Sequence, residues 1–301
     1  MLCHICNSDT EAIGTKKGQY CVVEFEFRKC LQCGFIFVAN PLTDYATLYN
    51  ENYYCGKGAD PTLDYIGELY DSGKTIRQFE WYGIFRVIAS IVVGGGEGLT
   101  SKSWLDIGCG NGGLVRYLTN RHIKCLGAED GWIADKARDD FSIPIVSLDN
   151  IQGRYDIVTA IEVLEHIQYP MDFLLKVKNL LNPGGIFWYT TGNSAPFLKD
   201  IPSRWAYVVP EVHISYFSPN CMKVAFKKAG LKPVHFNGLP SGMEYIILFK
   251  ILKTLGMKRL PIYDRFVEKM LQTICSPLIR CIANLVNARY RISDMPFGIY
   301  K

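Results

Sequence analysis

A glycine-rich turn in the middle of the chain has the composition of a ligand-binding site. Residues 104 to 113 read WLDIGCGNGG. An apolar, strand-like stretch reaches the acid Asp106, and alternating glycines follow it at Gly108, Gly110 and Gly112. Glycine permits a tight turn and lets a ligand lie against bare backbone, while free N–H groups at the start of the next helix face that ligand. The pattern predicts a mononucleotide-like ligand at the carboxyl end of a first β-strand.

Four cysteines near the N-terminus have the spacing of a metal site. Cys3 and Cys6 form one C-x2-C pair, and Cys30 and Cys33 form a second one after 23 intervening residues. Two such pairs can complete a tetrahedral zinc site made of four thiolates, whereas chance pairs or a redox pair are the alternatives. Four thiolates leave no open position, so the predicted zinc is structural and would supply folding energy to a short segment. His4, inside the first pair, is expected to face outward.

An acidic turn with a histidine follows a later apolar, strand-like stretch. It contains Glu162, Glu165 and His166. An imidazole titrates near neutral pH, so His166 is a candidate general base, and Glu165 could orient it or accept a hydrogen bond from a substrate. Two carboxylates and an imidazole could instead bind a divalent ion, and a purely structural turn histidine is the third interpretation.

A second histidine, His213, lies in the apolar stretch WAYVVPEVHISYFS at 205–218. It is the second candidate base, although a histidine in such a stretch can equally be a hydrogen-bonded core residue. The candidate residues lining the same pocket are Asn193, Tyr207, Glu211 and Tyr216.

The order of these motifs resembles that of the class I S-adenosylmethionine-dependent methyltransferases over roughly residues 75–240. The matching runs are D-x-G-x-G-x-G from Asp106, YDIVTAIEVLEH at 155–166 and LLNPGG at 180–185. The resemblance implies S-adenosylmethionine as the cofactor and a Rossmann-like sheet of seven mostly parallel strands. The glycines also satisfy the dinucleotide fingerprint G-x-G-x-x-G, so a nicotinamide enzyme is the alternative.

The resemblance also implies cofactor contacts at the ends of later strands. Glu129 would accept hydrogen bonds from both ribose hydroxyls, because a carboxylate offers two acceptor oxygens. Asp130, one residue later, either lies beside that contact or caps the following helix. Leu148 and Asp149 occupy the places that frame the adenine, and Glu162 follows the strand whose end lies beside the methionine part.

Strand and helix patterns alternate along the chain, which predicts an α/β fold with a doubly wound, mostly parallel sheet. Strands are predicted at 103–107, 123–128, 145–148, 156–161, 186–191 and 232–236, with an antiparallel seventh at 295–300. A helix is predicted at 75–93, and Gly94–Gly96 would end it in a flexible approach. The predicted divisions are a zinc ribbon at 1–45, a linker and helices forming a lid at 46–100, and the cofactor-binding domain at 101–301 with a helical insertion at about 243–292.

The segment around the second cysteine pair and the tyrosines after it provide a second resemblance. RKCLQCGFIFVANPL and YNENYY resemble the zinc-ribbon leader of many bacterial small-molecule methyltransferases, some of which act on nucleotide sugars or cell-surface glycans. The resemblance implies Tyr49, Tyr53 and Tyr54 as lid residues, unless they only pack the linker on the domain. The first expected substrate is therefore a sugar, nucleotide sugar or glycan intermediate. The E-x-x-E-H turn resembles that of the quinone O-methyltransferases and gives quinone or phenol O-methylation as the alternative.

Composition narrows the classes of partner. The 301 residues, 49% hydrophobic and 21% charged, are typical of a soluble globular protein with two structural units. A net charge of +4 is too small to indicate nucleic acid, so an RNA methyltransferase or RNA-binding module is the weaker alternative. No signal peptide is visible and no apolar run reaches about 18 residues, so a cytoplasmic location is expected.

The C-terminal stretch from residue 253 onward is basic. It contains nine Lys/Arg and three Asp/Glu, a local balance of +6. A basic amphipathic helix could lie on the inner face of an anionic membrane, although a cap or dimer helix packed on the domain is the preferred interpretation. Neither the acceptor atom nor the oligomeric state follows from the sequence.

Overall fold

The computed structural model describes residues 1–45, 48–57, 64–73, 75, 77–92, 94–192, 194, 207–237 and 297–300. These residues form two compact units. The first unit contains the described residues of 1–63, 151–238 and 294–301, and the second contains those of 64–150. Asn193 and the predicted helical insertion at 243–292 lie outside the described residues.

The described secondary structure consists of eleven strands and eight α-helices. The strands are β1 Thr10–Lys17, β2 Glu24–Cys30, β3 Ile36–Val38, β4 Ser103–Ile107, β5 Lys124–Ala128, β6 Ile145–Val146, β7 Tyr155–Ile161, β8 Leu181–Thr190, β9 Ser215–Tyr216, β10 Pro233–Asn237 and β11 Phe297–Tyr300. The helices are α1 Glu51–Tyr54, α2 Tyr65–Tyr70, α3 Arg77–Ile91, α4 Gly95–Gly98, α5 Gly113–Thr119, α6 Trp132–Phe141, α7 Pro170–Leu180 and α8 Pro219–Ala229.

The N-terminal segment of the first unit forms an antiparallel sheet in the order β1-β2-β3-β9. Alternate residues of β2 point inward, so Phe25 and Phe27 are fully buried. They pack with Ile36 and Tyr216 in one apolar cluster, and burying each such side chain contributes roughly 1.5–3 kcal/mol. The fourth strand comes from more than 170 residues later in the chain, because Ile36 pairs with Tyr216 across β3 and β9.

The first unit also contains a sheet in the order β10-β11-β8-β7. β7 and β8 run parallel, and α7 connects them. β11 pairs antiparallel with both β10 and β8, which confirms the predicted antiparallel seventh strand. Ser218 caps α8 by accepting from the Cys221 N–H, and Gly230 ends this helix with a φ of 70°, as expected for a serine N-cap and a glycine stop.

The second unit contains three parallel strands in the order β4-β5-β6. α5 and α6 connect them, and the strand interiors are apolar and buried. Parallel strands that alternate with helices in both units confirm the predicted α/β, Rossmann-like class. The carboxyl ends of β4 and β5 lie side by side, because Ile107 pairs with Ala128.

Two predicted elements differ from the structure. α3 ends at Ile91, and Gly94, with a φ of 88°, is the N-cap of α4 at Gly95–Gly98, where a flexible approach was predicted. The third predicted strand, 145–148, is shortened to Ile145–Val146, and a 3-10 turn at Leu148–Asn150 follows it.

Among the described residues, no single helix is long and apolar enough to cross a membrane. One bent pair of helices, Glu80–Ile91 with Gly95–Ser101, meets the criterion only when the two are taken together.

Candidate functional site

The four predicted metal ligands form one compact cluster. The Sγ atoms of Cys3 and Cys33 are 3.7 Å apart and those of Cys6 and Cys30 are 3.3 Å apart, and all four sulfurs lie within 4.8 Å of one another. Backbone N–H groups of Gln32 and Cys33 donate to the Cys30 sulfur at 3.4 and 3.3 Å. Donors aimed at a sulfur stabilise the thiolate that a metal requires.

The electrostatics of this cluster also suit a cation. The hydrogen bond from the Cys33 thiol lowers the pKa of Cys3 to about 5, whereas the same contact and burial raise the pKa of Cys33 far above its usual range. Thiols this close cannot all ionise alone, because each new thiolate meets its neighbour's charge. A divalent cation among the four sulfurs would offset much of this repulsion and allow them to ionise.

His4 does not face outward as the sequence predicted. It is half-buried, and its Nδ1 lies 2.8 Å from the carbonyl oxygen of Gln168. Its ring contacts those of Phe37 and Tyr169, with centroids 4.3 and 5.1 Å away. His4 therefore joins the cysteine-bearing segment to the residues just before α7.

The glycine turn in the second unit requires its glycines. Gly108, Gly110 and Gly112 have φ values of 68°, 55° and 71°, which residues with a Cβ rarely adopt. Asp106, at the end of β4, is only 3% exposed. The Gly110 N–H donates over 2.9 Å to Oε2 of Glu129. The turn after β4 is thus bound directly to the acid that ends β5.

Glu129 and Asp130 have distinct roles in this region. Burial raises the pKa of Glu129, and its Oε1 accepts from the Asp130 N–H over 3.0 Å. Each carboxylate oxygen keeps a lone pair for a ligand hydroxyl. Asp130 does not cap α6, because Gly131 is the N-cap; its Oδ1 instead accepts from the Leu148 N–H over 3.3 Å. The residues after β4, β5 and β6 that were predicted to contact the cofactor therefore lie together. Asp149 is exposed beside Leu148.

A buried ionic network behind this turn was not predicted. Glu68 of α2 is 6% exposed and accepts from Nδ2 of Asn111 over 2.9 Å and from Arg77 over 3.0 Å. Although burial favours the neutral guanidine, the Glu68 carboxylate raises the pKa of Arg77. Asn111 also donates to the Tyr65 carbonyl oxygen over 2.8 Å. The network holds α2 against the glycine turn, and Asn111 inside the WLDIGCGNGG run was its only signal in the sequence.

The acidic turn in the first unit places its two carboxylates differently. Glu165 is fully buried and accepts from Oγ1 of Thr191 over 2.9 Å and from the Tyr207 hydroxyl over 2.5 Å. Glu162 has the strained φ of 51° and an exposed side chain. Desolvation by the surrounding protein and the nearby Glu165 carboxylate raise the pKa of Glu162 well above its usual range.

The two candidate bases are oriented in the same way. Nδ1 of His166 lies 2.8 Å from the Val212 carbonyl oxygen, and Nδ1 of His213 lies 2.7 Å from that of Tyr207. A carbonyl oxygen only accepts, so we assign the proton to Nδ1 in both rings, which leaves each Nε2 with a lone pair. The ring centroids are 5.0 Å apart. Burial, with a contribution from His166, lowers the pKa of His213 to about 3, so His213 is neutral at pH 7.

The same side chains could also bind a cation. Glu165, His166 and His213 each offer a ligand atom within 4.8 Å of the others. This set differs from the predicted one, since His213 is grouped with Glu165 and His166 in place of Glu162. Both Glu165 oxygens already accept hydroxyl hydrogen bonds, which favours an orienting carboxylate over a ligand.

Tyrosines of the linker reach this site. The Tyr49 hydroxyl lies 3.2 Å from Nδ1 of His166, and Tyr53 packs edge-on against Tyr49 with centroids 4.9 Å apart. The Tyr54 ring packs edge-on against that of Tyr53, with centroids 5.2 Å apart. The structure thus places Tyr49 beside the candidate base, a position that fits both a lid and a linker packed on the domain.

The predicted lining residues Glu211 and Tyr216 do not line this site. Tyr216 is 1% exposed and its hydroxyl donates to the His213 carbonyl oxygen over 2.6 Å. Glu211 is fully buried and accepts from the N–H of Tyr20 over 2.8 Å. It therefore faces the β1–β2 hairpin rather than the histidines.

The sequence comparisons match this chain to methyltransferases. A family profile described as a methyltransferase domain matches residues 83–236. The chain is 32% identical over 112 residues to the ubiquinone biosynthesis O-methyltransferase of Acinetobacter baylyi, a match covering 33% of this chain and 47% of that protein. It is 28% identical over 170 residues to the protein of the same name from Bordetella bronchiseptica, covering 49% and 67%. The chain thus spans about half the length of the Acinetobacter relative.

Solved structures overlap only partly with this chain. The structure of Streptomyces venezuelae DesVI superposes with a TM-score of 0.44 at 16% identity, covering 59% of this chain and 94% of that one. A coclaurine N-methyltransferase structure gives a TM-score of 0.44 at 14% identity, covering 73% and 72%.

Proposed function

The chain belongs to the class I S-adenosylmethionine-dependent methyltransferases, whose domain profile matches just over half of it, and we propose that it methylates a hydroxyl oxygen of a small molecule. In S-adenosylmethionine the methyl carbon on the sulfonium is already electrophilic, so the protein must hold a nucleophile in line and take its proton. In this chain His166 takes the proton, and Glu129 and the glycine turn hold the methyl donor.

The observation that carries the proposal is the orientation of His166. Its Nδ1 is held 2.8 Å from the Val212 carbonyl oxygen, which leaves Nε2 as the basic atom. Nε2 takes the proton of the acceptor hydroxyl as the oxygen becomes nucleophilic. His213 stays neutral at pH 7 because burial lowers its pKa to about 3. A neutral His213, whose ring centroid is 5.0 Å from that of His166, places no second positive charge beside the protonated His166.

The second unit supplies the residues that would hold the donor. Glu129 keeps free lone pairs beside the turn and would accept the ribose hydroxyls, as the family resemblance implies. A Cβ at Gly110 would approach the Tyr65 ring to 3.3 Å, so the glycine lets the turn pack closely on α2. The positive φ values of Gly108, Gly110 and Gly112 keep the turn tight, which suits a ligand that lies against the main chain.

We favour a phenolic or quinol hydroxyl as the acceptor. A phenol has a pKa of about 10 and an imidazole one of about 6.5, so the proton transfer is uphill by only about 3.5 units. The Acinetobacter and Bordetella relatives are named ubiquinone biosynthesis O-methyltransferases, which supports this class. Tyr49 and Tyr53 provide ring faces next to His166, where an aromatic acceptor could stack.

A sugar or nucleotide-sugar hydroxyl is the second candidate. Two features favour this candidate: the N-terminal cysteine cluster and the linker residue Tyr49, whose hydroxyl lies close to His166. Together they carry the resemblance to bacterial sugar methyltransferases. The same base and donor site would serve, so the acceptor alone distinguishes the two candidates.

We also infer that Cys3, Cys6, Cys30 and Cys33 bind a structural Zn²⁺. Four sulfurs about 2.3 Å from a tetrahedral Zn²⁺ lie about 3.8 Å from one another. The Sγ–Sγ separations of 3.7 and 3.3 Å are close to that geometry. All four sulfurs belong to the protein, so no position is left for a substrate.

The test combines binding with turnover. Calorimetry with S-adenosylhomocysteine and with NAD should show binding of the first only. Methyl transfer from labelled S-adenosylmethionine is then measured with catechols and hydroquinones and, in parallel, with nucleotide sugars. His166→Gln should retain donor affinity and lose turnover by at least about 100-fold, the usual contribution of a general base. Tight NAD binding without S-adenosylhomocysteine binding would refute the proposal, and turnover with nucleotide sugars alone would replace the phenol by the second candidate.

A further inference from the structure

Glu211 is a buried acid to which the proposed chemistry gives no task. Its Oε1 accepts the N–H groups of Gln19 and Tyr20, at the tip of the hairpin between β1 and β2. Its Oε2 is buried and makes no hydrogen bond among the described residues. A Cβ at Gly18 would lie 2.8 Å from Oε1, so the glycine lets the carboxylate approach the hairpin. Burying a carboxylate with one oxygen unpaired costs free energy. The hydrogen bonds that this carboxylate makes go to the β1–β2 hairpin.

The segment that contains Glu211, residues 207–216, is bound to the cysteine-bearing sheet at further points. Nζ of Lys16 donates to the Val208 carbonyl oxygen over 2.5 Å. The Val38 N–H donates to the Ile214 carbonyl oxygen over 2.9 Å, where β3 begins to pair with β9. The hairpin and β3 therefore hold this segment along most of its length.

The opposite side of the same segment faces the acidic turn. The Ile214 N–H donates to the Glu165 carbonyl oxygen over 2.8 Å, and the Val212 carbonyl oxygen accepts from His166. Ile214 thus bonds the cysteine-bearing sheet through its carbonyl and the acidic turn through its amide. A displacement of the hairpin would move the very carbonyl that orients His166.

We propose that Glu211 is a positioning residue for methyl transfer. Its hydrogen bonds to the β1–β2 hairpin hold Val212 and His213 in place, and these residues set the orientation of the His166 ring. The catalytic meaning of this contact rests on the proposed function, whereas its geometry does not. Asp106 and Glu129, which are predicted to bind S-adenosylmethionine, belong to the second unit. A change at Glu211 should therefore affect turnover of the methyl acceptor and not the binding of S-adenosylmethionine.

The experiment compares three variants of the full chain. Glu211→Ala removes both acceptor bonds, Glu211→Gln keeps an amide oxygen for the same two N–H groups, and Glu24→Ala removes an exposed acid of the same sheet. For each we measure zinc content, affinity for S-adenosylhomocysteine, kcat and KM for the acceptor, and the imidazole ¹⁵N spectrum. If Glu211→Ala does not fold, Glu211→Asp, which keeps the charge but withdraws the oxygens by one methylene, replaces it.

Glu211→Ala should lower kcat by about tenfold or more with donor affinity and zinc content within about twofold of wild type, because misplacing a base costs turnover rather than binding. Its His166 and His213 Nδ1–H signals should shift, and Glu211→Gln should restore both readouts. Unchanged kcat and unchanged imidazole signals would overturn the inference, as would loss of zinc and donor binding in parallel with turnover. Wild-type protein inactive on every acceptor would refute the proposed function, while shifted imidazole signals would still uphold the positioning contact.

Discussion

The hydroxyl of Tyr207 donates a hydrogen bond of 2.5 Å to Oε1 of the buried Glu165. The same hydroxyl accepts from the Gly192 N–H over 3.0 Å, and Thr191 holds the second Glu165 oxygen. Burial raises the pKa of Tyr207 well above its usual range, so the phenol keeps its proton at neutral pH. Glu165 is therefore fixed from both sides before any ligand arrives.

Replacing Tyr207 by phenylalanine should destabilise the protein. The change leaves one oxygen of a buried carboxylate without its donor, which costs about 1–3 kcal/mol in the free energy of unfolding. Urea denaturation at pH 7 measures this loss. Tyr155→Phe is the matched control, because its hydroxyl donates an exposed hydrogen bond to the Gln152 carbonyl oxygen. An equal loss in both variants would contradict the role given to Tyr207.

The neutral His213 should make the protein sensitive to acid. Its folded-state pKa of about 3 lies below the value of 6.5 for an unperturbed histidine. Between these values the unfolded chain binds the extra proton, so stability falls as the pH drops below about 6.5, by up to about 1.4 kcal/mol per pH unit. Unfolding free energies from pH 7.5 to 4.5 should show a shallower decline for His213→Gln than for wild type.

The control for this measurement is the exposed His122, which has a φ of 60°. Asparagine tolerates that conformation, so His122→Asn should leave the acid dependence unchanged. A decline that is equally steep in wild type and His213→Gln would show that other groups cause it.

Gly113 should not accept even a methyl group. An added Cβ would lie 2.2 Å from Cζ2 of Trp81, a side chain that is 1% exposed. Overpacking of this kind costs typically 1–3 kcal/mol, so thermal unfolding of Gly113→Ala should occur several degrees lower. The smaller ring in Trp81→Phe should restore part of that loss, and a double variant showing simple additivity would argue against the contact.

Removing one cysteine of the cluster should remove the metal. Cys30→Ser eliminates a thiolate that two N–H groups support, and three remaining sulfurs hold zinc far more weakly. Zinc content by mass spectrometry should fall well below one ion per chain, with loss of the cooperative unfolding of the β1–β2–β3 region. Cys21→Ser, a thiol outside the cluster, should retain full zinc; retention by Cys30→Ser would refute the metal site.

Local patterns predicted the parts of the protein that depend on local chemistry. The alternation of strands and helices, the glycine turn after Asp106 and the paired cysteines each rely on residues close in sequence. They predicted the α/β class and the compact cysteine cluster. The position of Glu129 beside Gly110 followed from the same reasoning, because adjacent parallel strands end at one edge of a sheet.

Contacts between distant, short segments were not predictable in this way. β9 has only two residues, Ser215 and Tyr216, and no periodicity indicates so short a strand. Glu211 was predicted to line the pocket, whereas in the structure its carboxylate accepts from the N–H of Tyr20 in the β1–β2 hairpin. Nothing in the sequence pairs Arg77 with Glu68, and the structure shows the two side chains 3.0 Å apart and 16% and 5% exposed.

The two-residue strand β9 has a consequence for protein engineering. It completes the N-terminal sheet with residues that also flank the candidate base His213. A chimera that exchanged residues 1–45 alone would leave that sheet edge facing a foreign partner. Exchange of acceptor preference between relatives should therefore succeed only when 207–216 travels with the N-terminal segment as a single cassette.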